Sequence, residues 1–109
     1  MTDPANPFTT GSGNIENSFI ALRANHIFEL EKFQGAKTVI VSGSFNQWNK
    51  DDYRMERQGG KWILPIYLHP GKYTYKFIVD GNWIIDPFNK LYEQNETDTD
   101  NSVLWIDPF

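Results

Sequence analysis

The chain has 109 residues, the size of one domain with a modest core. Its formal net charge of -4 argues against a nucleic-acid partner, because phosphate binding needs clustered Lys and Arg. The chain has no Cys, which excludes disulfides, zinc fingers and thiol catalysis, and no apolar stretch has membrane-spanning length. We therefore expect neither a nucleic-acid nor a membrane partner.

Residues 1–17 form a lead-in rich in Pro, Asn, Thr, Gly and Ser, which predicts irregular structure. Part of this lead-in is echoed later in the chain: DPANPF at residues 3–8 and NSFI at residues 17–20 resemble DPFNKL at residues 86–91 and NSVL at residues 101–104. Two interpretations stay open. Either residues 1–17 are the tail of a preceding tandem module, or two Pro- and Asn-rich turns are similar by chance.

Short apolar runs, each ended by a turn signal, follow the lead-in. They cover residues 18–22, 25–32, 38–42, 61–68, 72–79 and 102–106. The run at residues 38–42 is rich in β-branched side chains, and the run at residues 72–79 alternates with a period of two. No window repeats at a helical period. Residues 18–109 are therefore predicted to form an all-β, immunoglobulin-like sandwich of about seven to eight antiparallel strands.

The dipeptide DG at residues 80–81 lies between two extended segments, which is the strongest short-range signal for a β-hairpin. A two-residue turn there pairs Val79 with Asn82 and Ile78 with Trp83. The same register continues for two further residue pairs, so the sequence predicts which face of the hairpin each of these residues occupies.

The predicted hairpin separates two sets of side chains, because directly paired residues share a face. Lys76 and Trp83 project together, and Ile85 is predicted to pair with Lys76. The opposite face is wholly apolar or aromatic and is predicted to be the core face, with Tyr75, Phe77, Val79 and Ile84. A Trp beside a Lys on an outer face has no core-packing explanation, so these two residues are candidates for binding.

Three separated motifs occur in order: SGSFNQW at residues 42–48, PGKYTYKFIVDGNW at residues 70–83, and DP at residues 86–87. With these motifs the chain closely resembles the family 48 carbohydrate-binding modules, from about residue 38 to residue 106. That family includes the glycogen-binding domain of the AMP-activated protein kinase β subunit and the N-terminal modules of branching and debranching enzymes. The resemblance implies an early-set, immunoglobulin-like sandwich that binds α-1,4-linked glucose polymers.

The resemblance also implies which residues bind the sugar. The family's first platform tryptophan matches Trp48, the second matches Trp83, and the sugar-bonding lysine matches Lys76. A flat indole offers a large rigid surface to the C–H face of glucose, and a lysine supplies hydrogen-bond donors to the hydroxyl groups.

The loop before the last run departs from the family pattern. Where the kinase relatives offer a leucine, a threonine and an asparagine, this chain has Glu96, Asp98 and Asp100. Asp100 is retained as a candidate sugar contact, and Asn101 is interpreted as structural. The acidic residues of this loop lack the spacing and the glycine of a calcium loop, so we expect no metal and no cofactor.

Two functions remain in competition. The first is a non-catalytic module that binds glycogen, starch or maltodextrin, in a longer chain that could also carry a catalytic domain. The second is an interaction or spacer domain without sugar binding, since one fold serves both purposes. An enzyme is disfavoured because the sequence has no nucleophile motif and no metal-ligand spacing. Trp62 and Trp105 lie within apolar runs and are interpreted as core or groove-lining residues.

Overall fold

The computed structural model describes residues 23–108. The lead-in at residues 1–17 and the apolar run at residues 18–22 lie outside the described residues. Regular structure in the described part is almost wholly extended. Its strands are β1 (His26–Leu30), β2 (Val39–Gly43), β3 (Tyr53–Arg54), β4 (Glu56–Gln58), β5 (Lys61–Ile66), β6 (Gly71–Val79), β7 (Asn82–Ile84), β8 (Tyr92–Gln94) and β9 (Asp100–Ile106).

These strands form two antiparallel sheets. The smaller sheet has the order β1-β5-β4, and the larger has the order β3-β2-β6-β9-β8, with β7 paired to one end of β6. The predicted all-β, immunoglobulin-like sandwich is confirmed. The described residues contain nine strands, more than the predicted seven to eight. The difference arises because the short and largely exposed strands β3, β4 and β8 contain no apolar run from which the sequence could predict them. Over residues 23–108, no helix combines the length and the hydropathy that crossing a bilayer requires.

The core lies between the inner faces of the two sheets. Alternation along β6 turns Tyr75 and Phe77 inward, where Phe28 from β1 meets the Tyr75 ring edge-on with centroids 4.9 Å apart. Burying each such ring stabilises the fold by about 2–3 kcal/mol. Trp62 is also buried, and its indole N–H donates to the Phe33 carbonyl at 3.1 Å. This confirms the core interpretation of Trp62.

Trp105 does not share that environment, since its side chain is 60% exposed on β9. Of the two interpretations of Trp105, core or groove-lining, the core one is therefore wrong, and Trp105 instead borders a hollow with Asn25 and Asp107. Its run looks apolar in sequence because alternate residues of β9 face the core, whereas Trp105 lies on the other side of the pleat.

The hairpin between β6 and β7 has the predicted register. Val79 faces Asn82 and Ile78 faces Trp83, across a turn whose two residues both have positive φ, 47° and 87°. A DG pair suits this turn because Asp and Gly tolerate the left-handed conformation. β7 ends at Ile84, so the predicted pairing of Lys76 with residue 85 does not form.

A buried hydrogen-bond network holds the segment after β7 against the core. The Tyr75 hydroxyl donates to Asp86 Oδ2 at 2.6 Å, and the Phe88 amide donates to Asp86 Oδ1 at 2.9 Å. The Asp86 amide donates to Ser102 Oγ at 2.8 Å, which connects the segment to β9. Burial, reinforced by the Asp86 bond, raises the pKa of Tyr75 far above its usual value. The Asp-Pro motif is thus a structural anchor.

Replacing Asp86 by Asn should lower the free energy of unfolding by about 1–2 kcal/mol, because hydrogen bonds to a charged acceptor are stronger than those to a neutral one. Urea denaturation followed by far-UV circular dichroism measures this loss. The matched control is Asp107→Asn, an exposed carboxylate that should change stability little. If the two variants were equally stable, the negative charge of Asp86 would make no contribution to the stability of the fold.

Candidate functional site

A tight turn after β2 positions Trp48. Asn46 Oδ1 accepts from the Gly43 amide at 3.1 Å, and Asn46 Nδ2 donates to the Asn49 carbonyl at 3.2 Å. The Trp48 amide donates to the Gly43 carbonyl at 2.9 Å, with Trp48 itself at a φ of 59°. A buried asparagine side chain therefore holds the backbone on both sides of Trp48.

The Trp48 ring lies beside Trp83, which stands on the outer face of the larger sheet. The ring centroids are 6.4 Å apart and the ring planes meet at 45°. Trp83 is 44% exposed and Trp48 is half-buried. Residues that are 35 positions apart in sequence (83 − 48) thus form one aromatic surface that solvent reaches.

Lys76 lies next to this surface. It pairs with Ser42 of β2 and shares the outer face with Ile78, the cross-strand partner of Trp83. The Lys76 ammonium donates to Thr99 Oγ1 at 3.3 Å, which directs it towards the loop between β8 and β9. The structure therefore brings an ammonium group and two indoles to one face.

Trp48, Lys76 and Trp83 line a single open cleft with a volume of about 790 Å³. Its far wall is formed by β8, β9 and the loop between them, and it includes Glu96 and Asn101. The wall can donate and accept hydrogen bonds, whereas the opposite side is aromatic. Such a cleft suits a flat, hydroxylated ligand with one apolar face.

Asp100 is not brought to this cleft. Asp100 is not among the lining residues. Tyr75, which faces the core, pairs with Ser102, so alternation along β9 puts Ser102 and Asp100 on the core side and Asn101 on the side of Lys76. Asn101, interpreted from sequence as structural, lines the cleft instead. Sequence counting could not separate these neighbours, because their facing depends on the pairing of β9 with β6.

Sequence reasoning missed Asn95, which organises the loop wall. Asn95 Oδ1 accepts from the Thr97 amide at 2.9 Å, the Thr97 hydroxyl at 2.8 Å and the Thr99 amide at 3.2 Å. Its Nδ2 donates to Thr99 Oγ1 at 2.6 Å, the same oxygen that accepts from Lys76. An Asn ahead of a Thr in a polar stretch is an Asx-turn signal, which could have identified it.

Replacing Asn95 by Ala should leave global stability nearly unchanged but speed amide hydrogen exchange at Thr97 and Thr99, because both amides lose their acceptor. Two-dimensional NMR measures the exchange rates. The matched variant Asn95→Asp keeps the acceptor oxygens and should preserve most of the protection. Unchanged exchange in the Ala variant would mean that the loop holds its shape without this side chain.

The charges around the cleft are nearly balanced. Glu93 forms an ion pair with Lys72, at 2.6 Å between Oε1 and Nζ, so Lys76 and Glu96 are the remaining charges of opposite sign. Among residues 23–108, no three His, Asp or Glu side chains are grouped closely enough to hold a metal ion.

Known proteins with similar sequences include Protein PTST homolog 2, chloroplastic, of Arabidopsis thaliana, which is 34% identical over 86 residues, 74% of this chain and 16% of that protein. The 5'-AMP-activated protein kinase subunit beta-1 of Sus scrofa is 42% identical over 72 residues, 66% of this chain and 57% of that protein. The chain thus spans only part of the length of these relatives.

Among solved structures, a maltogenic amylase from S. marinus matches 74% of this chain and 13% of its own, with a TM-score of 0.64 and 23% identity, which shows the shared fold. The model of the family described as "Glycogen recognition site of AMP-activated protein kinase" matches residues 25–108. The chain therefore belongs to that family, which confirms the resemblance identified from its motifs.

Proposed function

We propose that this domain is a non-catalytic module that binds α-1,4-linked glucan, such as glycogen, starch or maltodextrin, in the cleft of Trp48, Lys76 and Trp83. One observation carries the proposal: two solvent-accessible indole rings lie 6.4 Å apart in one open cleft with a lysine ammonium. Membership of a family described by glycogen recognition supports it.

The chemistry of each side of the cleft fits one side of a glucose unit. The indoles stack on its C–H face, and the apolar area buried on the two rings contributes about 2–3 kcal/mol. The Lys76 ammonium and the Asn101 amide hydrogen-bond to hydroxyl groups, at a net gain of about 0.5–1.5 kcal/mol each. After the cost of ordering the sugar chain, the dissociation constant should lie at about micromolar to millimolar.

The proposed contact set differs from the sequence-based set at one position. Asp100 is left out because its side of β9 faces away from the cleft, and Asn101 takes its place. Glu96 also lines the cleft and adds a carboxylate acceptor to its polar wall.

The domain's part in a larger protein is also proposed. The chain covers 16% and 57% of two relatives, so we infer that it supplies binding to a longer polypeptide. We further infer that this polypeptide carries a catalytic domain acting on the same glucan, because the fold also occurs in 13% of a maltogenic amylase chain. The tandem copy suggested by residues 1–17 belongs to the same hypothesis. Repeated weak sites would gain affinity for a polymer by raising its effective concentration.

A second function, contact with a neighbouring domain, is favoured by one feature. Phe88, Leu91 and Tyr92 follow one another closely and are 63%, 55% and 59% exposed. Apolar side chains grouped on a surface commonly mark protein contacts. This surface is separate from the sugar cleft, so the two functions are compatible.

Native affinity electrophoresis tests the glucan proposal. The protein is run through gels that contain glycogen, amylose, a soluble β-linked glucan or no polysaccharide. We expect retardation in the glycogen and amylose gels alone, because the cleft binds an α-linked chain. Equal mobility in all four gels would reject glucan binding and leave the domain-contact function.

A further inference from the structure

A further exposed tryptophan, Trp105, stands on the outer face of the larger sheet beyond the cleft. Trp105 pairs with Lys72, and Val103 pairs with Thr74, across β6 and β9. Lys72, Thr74 and Lys76 share one face of β6, because they are separated by even numbers of residues. Trp105 therefore faces the same side as Lys76, with 60% of its surface exposed.

The same face of β6 and β9 extends from the cleft to Trp105. Lys72, the cross-strand partner of Trp105, is four residues from Lys76 on β6 (76 − 72). Trp105 therefore lies about 13 Å from Lys76 along the strand direction. The ion pair between Lys72 Nζ and Glu93 Oε1, at 2.6 Å, spans this interval. Glu93 lines the cleft, and Lys72 is the cross-strand neighbour of Trp105.

We propose that Trp105 is an additional glucan subsite, reached only by chains that extend out of the cleft across the ion pair. This inference rests on the proposed function. The Trp105 indole stacks on a distant glucose unit. For the units in between, the Lys72 ammonium donates hydrogen bonds to the sugar hydroxyls and the Glu93 carboxylate accepts hydrogen bonds from them. Trp105 also borders a hollow of about 180 Å³ with Asp107, whose carboxylate offers a further acceptor.

The polar setting of Trp105 favours sugar over a protein partner. Its cross-strand neighbour is a lysine in an ion pair, whereas a core of a protein interface is depleted in charge. The exposed side chains of Phe88, Leu91 and Tyr92 fit the domain-contact surface better, because three large apolar groups lie close together in the chain. If Trp105 is a sugar subsite, only a long oligosaccharide reaches it from the cleft. If it is a protein contact, its response does not depend on oligosaccharide length.

NMR titration with maltotetraose and maltoheptaose tests the subsite on the folded protein, since it measures millimolar affinities. We expect the Trp105 indole N–H resonance to shift with maltoheptaose and to stay nearly constant with maltotetraose. Trp105→Ala should raise the dissociation constant of maltoheptaose by about threefold to tenfold and leave that of maltotetraose within about twofold. Trp105→Phe, which keeps an aromatic ring, should retain most of the affinity for the longer chain.

Two comparison variants separate the possible results. Trp83→Ala should weaken both oligosaccharides, and Tyr67→Ala, a 55% exposed aromatic outside the two strands of this face, should weaken neither. If Trp83→Ala weakens binding while Trp105→Ala affects neither ligand, or both equally, the subsite is rejected and the proposed function survives. If the unmodified protein binds neither sugar, the proposed function fails and the subsite fails with it.

Discussion

Replacing both Trp48 and Trp83 by alanine should abolish the retardation of this protein in glycogen and amylose gels. The two rings form the aromatic side of the cleft, with centroids 6.4 Å apart, and no other indole lines the cleft as described over residues 23–108. Removing both should raise the dissociation constant at least tenfold, since about 1.4 kcal/mol suffices for that factor. Affinity electrophoresis and isothermal titration calorimetry measure the loss.

Stability distinguishes a lost binding surface from a lost fold. Trp83 is 44% exposed and Trp48 is half-buried, so the double variant should remain folded and keep its far-UV circular dichroism spectrum. The control is Tyr67→Ala, which removes an aromatic ring of similar exposure away from the cleft and should leave retardation intact. If the folded double variant were retarded as strongly as the unmodified protein, Trp48 and Trp83 would not be the surface that binds the glucan.

Gly43→Ala should destabilise the domain by about 3 kcal/mol, because the position has no room for a methyl group. A Cβ at Gly43 would lie 2.4 Å from the Thr74 carbonyl oxygen and 2.9 Å from the Tyr75 Cβ. Thr74 and Tyr75 belong to the central strand β6, so the neighbouring backbone cannot move aside cheaply. The Gly43 carbonyl also accepts from the Trp48 amide, so displacement should weaken sugar binding as well.

The matched control is Gly35→Ala, at an exposed loop position where a Cβ would meet nothing within 4 Å. This variant should keep the stability of the unmodified protein to within about 0.5 kcal/mol. Denaturant unfolding of the two variants side by side gives the measurement. If Gly43→Ala were as stable as Gly35→Ala, the close approach of β2 and β6 at Gly43 would not be a requirement of the fold.

Long-range pairing explains where sequence reasoning succeeded and where it did not. The register of β6 and β7 followed from a two-residue turn, so Ile78 and Trp83 were paired correctly. The facing of Asp100 and Trp105 depends instead on the pairing of β6 with β9, strands about 30 residues apart (102 − 75 is 27). No local signal reports that register, so the sequence could not tell that Asp100 and Asn101 lie on opposite faces of β9 or that Trp105 faces away from the core.

By itself, the sequence determined the sandwich class, the hairpin and the shared face of Lys76 and Trp83, because alternation and turn chemistry act over a few residues. Only the tertiary structure decided that the Trp48 turn folds against Trp83 and that Asn95 shapes the opposite wall. It also decided that Asn101 faces the cleft. Those arrangements arise when separate segments pack across the sheet, and packing joins residues whose separation in sequence carries no periodic signal.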